Sequence, residues 1–101
     1  MMHIFKNRQC HRLLAVFQEA RSLIARPEND FSWSSWEDAA AALAEIDGII
    51  AMLEAGRVPD RLQMRVLFAA TGPIQEISLS SGWADQFLKI AAQFDAALRW
   101  L

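Results

Sequence analysis

The chain has 101 residues, 53% of them hydrophobic and 22% charged, with a formal net charge of −2. That length supports one core, here a single domain over residues 1–101, and the apolar content excludes disorder. The slightly acidic balance argues against wholesale coating of nucleic acid, and a lone cysteine excludes an internal disulfide framework. A reducing compartment fits best.

No apolar run approaches the roughly 18 residues needed to cross a bilayer. The longest charge-free stretch, Val66 to Gln75, is interrupted by Gly72-Pro73. Lys6, Arg8 and Arg12 stand where the apolar core of a secretory signal would begin. The basic, acid-poor start is compatible with a mitochondrial presequence, but its apolar stripe is as well formed as those downstream. It reads instead as the first helix of a cytoplasmic, soluble domain.

Residue choice is helical: 17 Ala and 11 Leu stand against 3 Val and 1 Thr, with no sustained period-two alternation. A first helix is predicted from about residue 7 to 25. Its stripe is Cys10, Leu13, Leu14, Phe17, Ala20 and Ile24, and Pro27 stops it. Phe5 and Leu23 fall on the opposite side. After a linker, Ser34 and Glu37 read as a capping box opening a second helix that runs to about Ala55. Its stripe is Trp36, Ala39, Leu43, Ile46, Ile50 and Leu53, with Gly56 in the left-handed position beyond its end. Gly48 lies inside that helix, where it costs about 1 kcal/mol relative to Ala, and so suggests close packing of a neighbour.

A third helix is predicted over about 59–70, opened by Pro59 and Asp60. Met64, Val66, Leu67, Phe68, Ala69 and Ala70 cover almost every direction around it, which predicts a central position. Thr71-Gly72-Pro73 breaks the chain and restarts it as a short fourth helix to about Ser80, and Gly82 ends it or opens the next turn. The fifth helix runs from Trp83 or Ala84 to near the C-terminus, on a stripe of Trp83, Phe87, Ile90, Ala91, Phe94, Leu98 and Leu101. The expected fold is therefore all-α: one compact domain of four substantial helices and one short one, bundle-like or orthogonally packed.

Charge is unevenly distributed. Residues 1–26 carry a net +4, whereas residues 27–56 hold seven acids and no Lys or Arg, for a net −7. The plainest account is an antiparallel pair of helices whose charges face one another or water. Docking of a basic partner on the acidic half, or of phosphate on the basic helix, are the functional alternatives.

Candidate chemistry is sparse. Cys10 has Arg8, His11 and Arg12 nearby, which would favour a thiolate, but it lies on the apolar stripe and reads as a buried, inert cysteine. His3 and Cys10 are two helical turns apart, and no metal-ligand pattern such as HExxH is present, so neither a metal nor a cofactor is expected. Asp47 and Glu54 flank the stripe of the second helix and are candidates for an acid/base or small-ligand site between helices, if partial burial raises their pKa values. No nucleophile or phosphate-cradling glycine loop accompanies them, so no catalytic residue is assigned and enzymatic activity is not expected.

Trp33, Met52, Phe68, Leu88 and Trp100 are apolar residues in excess of one core, and so are candidate interface residues. They make a self-associating protein-interaction module the leading reading, most simply a twofold homodimer, with an unidentified protein partner as a variant. Residues 73–86 offer an alternative. The pattern Ile74-x-x-Ile77-Ser78-x-x-x-Gly82-Trp83 resembles the first helix and turn of AraC-type regulators, where Ile-x-x-Ile-Ala-x-x-x-Gly-Phe leads into a recognition helix. The resemblance covers about a seventh of the chain and implies a helix-turn-helix shape. Where that family carries a polar, arginine-bearing helix, this chain has Phe87-Leu88-Lys89-Ile90-Ala91-Ala92, with no Arg before Arg99. A nucleic-acid-associated regulator would then use the hairpin of about 73–95 together with Lys6, Arg8 and Arg12 on the first helix.

Overall fold

The computed structural model describes the backbone of residues 2–99 and the side chains of residues 8–99. The side chains of His3, Phe5 and Lys6, and all of Trp100 and Leu101, lie outside the described residues. Five helical segments follow one another: α1 (Met2–Ile24), α2 (Ala39–Glu54), α3 (Arg61–Phe68), α4 (Pro73–Ser81) and α5 (Ala84–Leu98). No strand occurs among the described residues. The all-α, single-core reading holds.

The central helix is α1, not α3 as the sequence suggests. It packs against α2, α5 and α4, whereas α3 lies chiefly against α4. This explains why α1 buries more than one stripe. Leu13, Val16, Phe17, Ala20, Leu23 and Ile24 are all in the core, so Leu23 is not on a free face. A helix flanked on three sides has little room for a polar face, and its charges collect on the strip left open.

Helix α3 is apolar around most of its circumference, yet only Met64, Leu67 and Phe68 turn inward. Leu62 and Val66, at the other helical phase, remain 71% and 51% exposed. Phe68 is the hub of an aromatic cluster and not a surface residue. Its ring stacks on Phe94 at 4.5 Å and on Phe87 at 6.5 Å, and meets Phe17 edge-on at 5.3 Å. Such pairs contribute about 0.5–1.5 kcal/mol each beyond the area they bury. One short helix is thereby anchored through its last turn.

Helix α2 starts later than the capping box predicts. Asp38 is the N-cap, its carboxylate accepting from the Ala41 N–H at 2.9 Å, while the Ser34 hydroxyl accepts from the Trp36 N–H within the linker. Asp caps as well as Ser does. The later start leaves Trp36 free to enter the core, where its indole N–H donates to Glu45 Oε1 at 3.0 Å. The inward stripe of α2 is accordingly Ala42, Ile46, Ile49 and Leu53, with Leu43 and Ile50 half-buried at its margin.

Three glycines show distinct requirements. Gly82 ends α4 at φ +83°, and the following Trp83 N–H donates to the Ser78 carbonyl at 3.0 Å, closing the helix in the left-handed manner. Gly72 precedes α4, where a Cβ would overlap the Val66 carbonyl oxygen. Gly48 was expected to admit a neighbouring helix, but it is exposed and nothing lies within 4 Å of where its Cβ would stand.

Candidate functional site

Helices α1 and α2 form the antiparallel pair expected from their charges. Near the far end of α1, the Arg21 Nε donates to Asp47 Oδ1 at 2.6 Å, with Nη2 to Oδ2 at 3.3 Å. Nearer its start, Cys10, His11 and Leu14 face Leu53, Glu54 and Gly56 across a groove of about 400 Å³. The acidic and basic segments therefore meet each other in part.

This arrangement bears on both candidate acids. Asp47 is half exposed, less desolvated than an acid/base role would require. The hydrogen bond from Arg21 holds its carboxyl below the usual aspartate range, against a smaller opposing effect of desolvation. A carboxylate held ionised in this way is a poor proton donor at neutral pH. Glu54 is exposed and lines the groove beside His11, with the Cys10 thiol buried at its wall. Asp47 lies about 10 Å further along the helix, two turns away, and does not share that groove. Among the described residues no three His, Cys, Asp or Glu side chains are placed to hold a metal ion.

The interface candidates separate by burial. Trp33 is 75% exposed and Leu88 is 61% exposed, so both lie on the surface. Met52 is half-buried, Phe68 is inside the core, and Trp100 lies outside the described residues. Leu62 and Val66 join the exposed set, as does Leu79 on α4. Leu62 and Val66 are one turn apart and therefore neighbours on the outer surface of α3. Their spacing was visible in the sequence. So was the competing spacing of Met64, Leu67 and Phe68, and local pattern alone offers no reason to prefer either face.

In the region of that resemblance, α4, the left-handed Gly82 and α5 follow in succession. Trp83, Phe87, Ile90 and Phe94 are buried, so the motif is built into the core. The exposed side of α5 carries Asp85, Gln86, Leu88, Lys89, Gln93 and Asp95 before Arg99, a surface with more acid than base. Arg8 and Arg12 are exposed on α1, and Arg12 borders α5 at Gln93, Ala96 and Ala97 rather than the turn of the motif.

A polar junction absent from the sequence reading ties the linker to the helices. Asn29 Nδ2 donates to the Leu23 and Ile24 carbonyls at 2.8 and 2.9 Å, closing the C-terminal end of α1. Its Oδ1 accepts from the indole N–H of the buried Trp83 at 2.9 Å. Beside it, the Asp30 N–H donates to Ser81 Oγ at 2.9 Å. Asn29 thus joins segments 54 residues apart, which sequence spacing could not indicate. No protein-family profile, curated protein or solved structure is significantly similar to this chain.

Proposed function

We propose that this chain is a non-enzymatic helical interaction module that pairs with a second copy of itself. The observation carrying the reading is the outward face of α3, where Leu62 and Val66 stand side by side with most of their surface in water. Large aliphatic side chains that neighbour each other outside the core are the usual material of an interface. Trp33, Leu79 and Leu88 supply further exposed apolar surface, and Trp is favoured at binding hot spots. A twofold pair is the simplest closed arrangement, because one self-complementary face then covers itself.

Light scattering coupled to size exclusion tests the reading on the full chain at micromolar concentration. A dimer is expected, with Leu62→Lys/Val66→Lys reducing it to monomer while the helical circular dichroism is retained. A wild-type protein that remains monomeric would sink the proposal. A dimer unaffected by that double substitution would move the pairing surface away from α3.

The nucleic-acid reading receives less support, because the exposed face of α5 has more acid than base. The acid/base reading is weaker still, given the exposed, Arg21-paired state of Asp47.

A further inference from the structure

Arginine is concentrated in one place outside the sites discussed so far. Arg61 and Arg65, one turn apart on α3, and Arg99, at the end of α5, line a groove of about 380 Å³ together with Asp95 and Leu98. None of these arginines makes an ion pair with a described carboxylate; among the described residues the single ion pair is Arg21–Asp47. That includes Asp95, which sits one turn before Arg99 on the same helix, at the spacing and in the order that favour pairing. The groove wall therefore carries a local charge of +2 in a chain whose net charge is −2.

We propose that this groove binds a small ligand carrying a phosphate monoester. Three features select that chemistry. Guanidinium groups present paired N–H donors in a rigid fork, which matches the oxygens of phosphate better than it matches a point anion. A phosphate monoester carries about −1.5 to −2 at neutral pH, which balances the +2 of the groove. A volume of about 380 Å³ is at the small end for ligand pockets, large enough for a phosphate with a modest substituent. The buried Leu98 provides an apolar floor, and Asp95 sets a limit on how many negative charges the site accepts. A nucleic-acid backbone fits less well. It needs a succession of phosphate contacts, and along α5 before the groove the exposed face carries Asp85 against the single Lys89.

The assignment does not depend on self-association, since Leu62 and Val66 do not line the groove. It is tested by titrating the isotope-labelled full chain with phenyl phosphate while following backbone amide and arginine Nε–H resonances, with sodium chloride and sodium acetate at matched ionic strength as controls. Saturable shifts confined to residues 61–65 and 95–99 are expected from phenyl phosphate and not from the controls. Arg65→Gln should weaken binding about tenfold or more, as expected for loss of a charge-assisted bidentate contact. Asp95→Asn should tighten binding, a gain that impaired folding would not produce. Leu62→Lys should change the oligomeric state and leave these Arg65 and Asp95 effects in place.

Equal shifts from chloride and phenyl phosphate would overturn the proposal, as would binding that survives Arg65→Gln. Binding of a short DNA duplex without any binding of phenyl phosphate would overturn it in favour of a nucleic-acid surface.

Discussion

The Asn29 junction and the α1–α2 pair use polar contacts of similar length in opposite settings. At the junction, the Trp83 indole is 1% exposed and its N–H is met by Asn29 at 2.9 Å. Between α1 and α2, Arg21 and Asp47 meet at 2.6 Å with 44% and 50% of their side chains in water. The shorter contact is the less important for stability. An exposed pair exchanges good hydration for a screened attraction, whereas a buried donor without a partner bears the whole desolvation cost. A chain's most conspicuous charge pattern can therefore matter less to its stability than one asparagine in a linker.

Substitution at Asn29 gives the largest expected effect. Asn29→Ala removes both bonds to the end of α1 and strands the Trp83 N–H inside the core, for a predicted loss of about 3 kcal/mol. Urea denaturation followed by tryptophan fluorescence measures it. A loss below about 1 kcal/mol would mean that water replaces the side chain there, and the contrast between the two regions would collapse.

Two glycines sharpen the same contrast. Gly72→Ala pushes a methyl group onto the backbone carbonyl of Val66, which cannot rotate away, and should cost about 2 kcal/mol. Gly48→Ala on the α1–α2 side meets only open space in a helix interior, and should instead stabilise by about 1 kcal/mol. Thermal melts of the two variants are expected to shift in opposite directions. A destabilised Gly48→Ala protein would indicate a neighbour on that face, as a second copy of the chain would provide.

The smallest effect belongs to Asp47. Its folded-state pKa lies below the ordinary 3.8, so its contribution to stability is complete above that value and fades as the pH falls through the folded pKa. Asp30, lowered by hydrogen bonds from Ser32, contributes with the same sign. Asp47→Asn should therefore leave stability at pH 7 almost unchanged and reduce, without abolishing, its decline below pH 3.8. Urea midpoints of the wild type and Asp47→Asn measured at pH 7 and pH 3 provide the check. A large loss at neutral pH would show that the α1–α2 pairing depends on this contact after all.

Much of the architecture was legible locally. Pro27 ended α1, Gly56 and Gly82 supplied left-handed ends at φ +75° and +83°, and Gly72-Pro73 separated α3 from α4. These are single-residue constraints on backbone conformation, so they act whatever the chain packs against. The start of α2 was less legible because Ser34 and Asp38 are both competent caps, and the choice between them depended on placing Trp36 against Glu45. The candidate sites were less legible again. Asp47 and Glu54 looked like a pair by spacing, but Asp47 pairs with Arg21 of α1 while Glu54 lines the groove beside His11, which only the packing of the two helices reveals.

By itself the sequence determined an all-α chain, its helix breaks, and the basic and acidic character of its first two helices, because propensity, proline, glycine and charge are properties of residues and near neighbours. Tertiary structure decided that α1 is central, that Phe68 belongs to the core while Leu62 and Val66 face water, that Asn29 joins the linker to Trp83, and that three arginines from two helices line one groove. Those outcomes depend on which of several competent faces finds a partner. That choice is made by the burial of whole helices against one another, where the free energy of packing exceeds any local preference.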